Sequence, residues 1–160
     1  MSEANSISKD KTVLVSTFYL GEALFGIDTL NVQEVVPLGR MTPVHHAPAS
    51  ISGIINLRGQ IVTVVDLAER IGLPPGGTPA FRHIMIVTWQ EERVGLLVDE
   101  VADVVTADLD NLAPPPVNVR AAQRTYILGV CEAGAHMAAV LDLEAVLKLE
   151  EDETTDTGGR

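Results

Sequence analysis

At 160 residues the chain can hold one domain or two very small ones. It is 46% hydrophobic but only 4% aromatic, so any core must be built from Val, Leu, Ile and Ala. A net charge of −11 disfavours nucleic-acid backbones and anionic membranes as partners, and a single cysteine, Cys131, leaves no intrachain disulfide framework or Cys-rich zinc site.

The N-terminal stretch MSEANSISKDK is polar and lacks the apolar core of a signal peptide. No apolar run reaches the roughly 18 residues that a spanning helix needs. Residues 1–11 and 150–160 are expected to be disordered, because they offer almost no apolar side chain to dock. The folded part is then 12–149, and a cytoplasmic location is expected.

Between the tails, short apolar runs alternate with turn residues. Val13–Leu20 predicts a strand, Gly21-Glu22 a turn, and Leu24–Asp28 the returning strand. Val32–Leu38 predicts a third strand, followed by the loop GRMTPVHHAPAS. Ile51–Leu57 and Ile61–Val65 form a hairpin around Arg58-Gly59. The run LPPGGTP at 73–79 interrupts the pattern. Arg82–Trp89 and Arg93–Val98 form the next hairpin, and Val101–Thr106 one more strand. After the proline loop APPPVN, Tyr126–Cys131 and Met137–Leu141 complete the set.

The two sides of the LPPGGTP break match each other. FGIDTLNVQEVV (25–36) aligns with VGLLVDEVADVV (94–105) without a gap, Gly26 meeting Gly95 at an offset of 69. SISGIINLRGQIVTVVDLAERIGL (50–73) aligns with YILGVCEAGAHMAAVLDLEAVLKL (126–149), Gly53 meeting Gly129 at an offset of 76. The offset changes in the loops, where length varies most easily. The expected fold is all-β: two packed five-stranded small barrels made by internal duplication, barrel 1 at about 12–78 and barrel 2 at about 79–149. Units of this size are marginal alone, so they should pack together. A short helix is expected after the last strand of each. Asp66 caps the first, with Glu69 three residues on and Gly72 to end it, and Asp142 caps the second.

The second copy serves as a control for the first. Asn56-Leu57-Arg58-Gly59 aligns with Glu132-Ala133-Gly134-Ala135, so the fold does not require Arg58. A lone turn arginine is usually a solvated residue; against that, arginine's planar fork of donors suits an interface anchor, and Gly59 beside it lets another backbone approach. Glu34 lies between Val32 and Val36 on a strand, and its counterpart Asp103 is also acidic. An exposed polar slot and a partner contact are both open for Glu34, and an acid on an edge strand also discourages unwanted pairing.

No catalytic arrangement emerges. His45 and His46 would point opposite ways on an extended segment, and no other ligand type stands near them in sequence. Cys131 aligns with the strand residue Ile55, which predicts a buried thiol. No nucleophile elbow, zinc helix motif or phosphate loop is present. Neither metal nor cofactor is expected.

FGIDTLNVQEVV, APASISGIINLRGQIVTVVDL, VGLLVDEVADVV, APPP and YILGV followed by VLDLEAVL together resemble the CheW family of chemotaxis coupling proteins. The resemblance runs from about Val13 to Leu149, and GxxNLRG followed by VVDL is its most specific part; Thr63 stands where the family often has proline. It implies two packed five-stranded SH3-like barrels. It also implies a non-catalytic adaptor that joins the cytoplasmic tips of chemoreceptors to the regulatory domain of the histidine kinase CheA, in receptor arrays at the inner membrane. An adaptor for surface motility or a developmental signal is the alternative. By position, the resemblance implies Val32, Glu34, Asn56, Arg58 and Gly59 as partner contacts. It places the receptor surface near the groove between the barrels and the kinase surfaces on barrel ends and edges.

Overall fold

A computed structural model describes residues 12–73, 82–115 and 121–148. Its ten strands in chain order are β1 (Thr12–Leu20), β2 (Ala23–Asp28), β3 (Val32–Pro37), β4 (Ile51–Leu57), β5 (Gln60–Asp66), β6 (His83–Trp89), β7 (Glu92–Val98), β8 (Glu100–Asp108), β9 (Ile127–Ala133) and β10 (His136–Leu141). Each falls within about two residues of its sequence expectation, because period-2 alternation and turn residues mark these elements well. Three short elements carry no such signal: 3₁₀ turns at Thr29–Asn31 and Leu109–Asn111, and a helical turn at Ala121–Arg124. The residues of LPPGGTP from 74 on, and both tails, lie outside the described residues.

The strands form two five-stranded sheets, ordered β8-β1-β2-β10-β9 and β3-β6-β7-β5-β4. The fold is therefore all-β, with two units as expected. The expected division at 78/79 is not the one observed. Each sheet takes three strands from one half and the first hairpin from the other. Hairpin β1–β2 completes the sheet of β8, β9 and β10, and hairpin β6–β7 completes the sheet of β3, β4 and β5. Each exchanged hairpin is held on both sides, parallel by β2 on β10 and β7 on β5 and antiparallel by β1 on β8 and β6 on β3. Alternation along a strand fixes which face is buried but not which neighbour it pairs with, so the swap leaves no local trace.

The duplication itself is exact in its pairings. Val140 pairs with Gly26, and its equivalent Val64 pairs with Gly95. Past β3 the chain turns back across the open side of its sheet, where Thr42 bridges Ile54 of β4; past β8, Ala113 bridges Val130 of β9 in the same way. These bridges, with N–H···O distances of 2.8–2.9 Å, close each sheet into a small barrel. Gly53 and Gly129 recur because the closing strand passes so near. A Cβ on Gly53 would lie 2.5 Å from the Thr42 carbonyl oxygen, and one on Gly129 would lie 2.9 Å from that of Ala113 and 2.5 Å from the Leu112 Cβ.

Each barrel has its own small core, one around Ile55, Val62, Val64, Ile84 and Ile86, the other around Val15, Leu24, Cys131, Ala138 and Val140. Cys131 is thus buried on β9, as expected. A larger third core lies between the barrels. It joins Phe18, Phe25 and Ile27 to Val65, Met85, Val87 and Leu96. The helices that follow β5 and β10 complete it. Helix α1 (Leu67–Arg70) starts at Asp66, whose Oδ1 accepts from the Glu69 amide at 3.3 Å, and Asp142 Oδ1 accepts likewise from Ala145 ahead of helical residues 143–148. The buried Arg70 donates from Nε to the carbonyl of Val146, 3.0 Å away, so the two helices meet at equivalent positions of the duplication.

Replacing Gly53 or Gly129 with alanine should destabilise the protein by about 1–3 kcal/mol, the range for forcing atoms into a packed site. Urea unfolding midpoints read this, with Gly59→Ala as the comparison in open space but at positive φ.

Candidate functional site

The β4–β5 hairpin ends in a two-residue turn, because Leu57 pairs with Gln60. Both central residues take positive φ, +50° at Arg58 and +88° at Gly59, which is the combination that matches the twist of a tight hairpin. Gly59 adopts it freely; Arg58 does so against its Cβ. The copy has Gly134 where Arg58 stands, also at positive φ (+64°). Asn56 braces the turn, its Oδ1 accepting from the Gly59 amide at 2.8 Å. The local chemistry of this turn therefore favours glycine at 58, yet the sequence holds an arginine whose side chain is 64% exposed.

The Arg58 guanidinium donates to the Glu34 carboxylate. These residues sit on elements at opposite ends of the sheet order, β3 and the tip beyond β4. Barrel closure brings them together. The hydrogen bond from Arg58 holds the Glu34 carboxyl below its ordinary value of 4.5; slight burial opposes this, and the charges of Arg58 and Arg93 add to it. Arg58 is correspondingly held more firmly protonated. The pair is solvated, so its role in stability is small.

Of the five residues named from the sequence, four form this cluster: Glu34 and Arg58 as the ion pair, Asn56 and Gly59 as the frame of the turn. Val32 belongs elsewhere. It is half buried against the central core, and a bulge separates it from Glu34. Two exposed apolar side chains lie close by in the chain: Val35, next along β3 and so on the opposite strand face from Glu34, and Ile61, just past the turn and 65% exposed. Their copy equivalents Val104 and Met137 are exposed too, a recurrence that strand assignment conceals. The histidine pair is not extended as expected. His45-His46 lies in a turn, with His46 at φ +66° and the ring centroids 6.5 Å apart.

A second exposed apolar surface was not legible in advance. Leu14 on β1 and Val104 on β8 are diagonal neighbours on one sheet face, since Leu14 pairs with Thr106 and Ser16 with Val104. The 3₁₀ turn Thr29–Asn31 is tied to that face by a 2.8 Å hydrogen bond between the hydroxyls of Ser16 and Thr29. It carries Leu30, 89% exposed. The available signal was again the copy, which has Asp99 in the place of Leu30.

The family profile described as the CheW-like domain matches residues 15–151. The chain belongs to the CheW-like family. It is 34% identical over 137 residues to the chemotaxis protein CheW of Rhizobium meliloti (strain 1021), covering 85% of this chain and 88% of that one. The CheW of Treponema pallidum (strain Nichols) is 30% identical over 146 residues, covering 89% and 86%. Among solved structures, the scaffolding protein TtCheW from Thermoanaerobacter tengcongensis superposes with a TM-score of 0.73 at 33% identity, over 84% of this chain and 91% of that one. Among the described residues no helix of this CheW-like chain is long and apolar enough to cross a membrane.

The depressed Glu34 carboxyl gives a signed pH prediction. Because its folded-state value is lowered, whatever the ion pair contributes is complete above the ordinary value of 4.5 and is lost as pH falls through the depressed one. A carboxyl-detected NMR titration should find the Glu34 midpoint below the ordinary value of 4.5, and Arg58→Gln should raise it toward that value.

Proposed function

We propose that this chain is a non-catalytic adaptor that couples the cytoplasmic tips of chemoreceptors to the histidine kinase CheA. The observation that carries the reading is Arg58. It stands in a backbone conformation that suits glycine, in a hairpin whose copy has glycine, and its exposed guanidinium is held across the barrel seam by Glu34. Gln90 also takes a left-handed turn position where its copy has Gly21, so the conformation alone is no docking signal; a docking role accounts for the exposed guanidinium that Arg58 adds. Arginine is well suited to anchoring interfaces.

The two exposed surfaces suit two partners. The exposed ion pair at the hairpin tip offers a charged centre, which fits the regulatory domain of the kinase. The face of Leu14, Val104 and Leu30 has no charged side chain among these three and fits the apolar stripe of a receptor helix hairpin. Both are small patches, as expected of contacts that must form and exchange within a signalling array.

Purified kinase regulatory domain and a receptor-tip fragment separate the two assignments. Arg58→Gly should leave the fold intact or slightly more stable while weakening kinase binding. Arg58→Glu should weaken it further, by at least about tenfold, equivalent to 1.4 kcal/mol. Leu30→Ser should weaken receptor binding and spare the kinase. Unchanged affinities in folded Arg58→Glu protein would remove Arg58 from the docking surface.

A further inference from the structure

One cleft has no place in the coupling surfaces just described. It has a volume of about 470 Å³ and opens where the tip of hairpin β6–β7 meets the β1–β2 side of the other barrel. Its floor includes Val13, Val15, Leu109 and Leu128, and Trp89 forms part of its wall. Three carboxylates also line it: Asp28, Asp142 and Glu144.

The duplication shows what the same place looks like when it is filled. In the other half, Arg82 is the equivalent of Val13, and Asp99 is the equivalent of Leu30. There Arg82 Nε lies 3.4 Å from Asp99 Oδ1, Asp99 Oδ2 accepts from the Gly21 amide at 2.6 Å, and the Asp99 amide donates to the Tyr19 carbonyl at 3.0 Å. An internal arginine and its acid thus tie the β1–β2 tip across the junction. In the cleft half, valine and leucine have replaced both members of that tie. Acids have appeared around the opening instead, Asp28 standing where the copy has Leu97 and Glu144 where it has Ala68.

We propose that this cleft receives an arginine side chain from a partner protein, in the position that Arg82 fills from within in the other half. The chemistry is complementary at each point. Aliphatic residues take the methylene stem and Trp89 stands in the lining for contact with a planar cation; Glu144 and the second oxygens of Asp28 and Asp142, whose Oδ1 atoms accept from the Leu30 and Ala145 amides, supply acceptors for a fork of N–H donors. Lysine, a compact and more strongly hydrated charge, matches this arrangement less well. The inference uses neither Arg58 nor Leu14 and Val104, and it touches the proposed receptor face only through Leu30, the position that answers Asp99.

Trp89 is the single tryptophan of the chain, so its indole N–H resonance reports on the cleft directly. The probe is the peptide acetyl-Leu-Arg-Leu-amide, compared with the same peptide carrying citrulline, which keeps the shape and loses the charge. The arginine peptide should shift the Trp89 indole and Leu128 methyl signals with a saturable dependence in the range of about 1 mM. The citrulline peptide should bind at least tenfold more weakly, and Glu144→Gln should weaken the arginine peptide several-fold. Val13→Arg, which restores the internal guanidinium of the copy, should move the indole signal by itself and abolish the response. The proposal is overturned if the two peptides behave alike, if neither moves the indole signal, or if folded Val13→Arg protein responds as the unaltered chain does. It is equally overturned if removing residues 1–11 alone shifts the indole signal as the peptide does, because the occupant would then be the chain's own lysine-bearing end.

Discussion

Two inserted hairpins hold this molecule together, β1–β2 seated between β8 and β10 and β6–β7 seated between β3 and β5. Each passes from one half of the chain into the sheet of the other. Without them neither sheet has five strands, and neither barrel has its full core. They also set the faces of Phe18, Phe25, Met85 and Leu96 toward one another in the central cluster. Units of about 65 residues bury too little surface to be robust alone. The exchange answers that limit by making each barrel's core a joint product of both halves. Arg70, donating to the backbone of its own pseudo-equivalent Val146, joins the same two halves at the helices.

The strands, the caps and the recurrent glycines were legible because each is a local matter. Alternation marks a half-buried strand, an aspartate before an apolar run marks a cap, and a glycine kept at Gly53 and Gly129 marks a close approach. The hairpin exchange was not legible, since the same alternation is compatible with pairing inside a half or across halves. The ion pair of Arg58 and Glu34 was hidden for a related reason. The residues were singled out separately, but only closure of the barrel brings the two ends of the sheet together. Val32 was a contact by position in the family resemblance; the structure has it half buried against the central core, with a bulge in β3 between it and Glu34. Leu30 fell between two predicted strands, and nothing in the sequence marks a connecting leucine as exposed.

The duplication turns into a physical control once the coordinates are compared position by position. At three equivalent places the second half carries the choice that local chemistry favours, whereas the β6–β7 turn runs the other way, with Gln90 at φ +52° where the first half has Gly21. Gly134 takes the left-handed turn position that Arg58 occupies under strain. Asp99 accepts from the neighbouring hairpin tip where Leu30 projects into water. Arg82 reaches Asp99 across the junction where Val13 leaves a cleft.

In all three comparisons it is the first half that gives up a self-contained solution. A left-handed non-glycine residue and an exposed leucine each carry a free-energy cost, on the order of 1 kcal/mol for the backbone alone. On the adaptor role proposed above, contact with partners offsets these costs, since the solvated Arg58–Glu34 pair returns little stability. The asymmetry therefore separates what the shared fold requires from what one half presents to partners. It also explains why the presented features are side chains on turns and faces. The backbone bridges at Thr42–Ile54 and Ala113–Val130 already occupy part of each sheet's open side, so recognition passes to the groups that barrel closure leaves pointing outward.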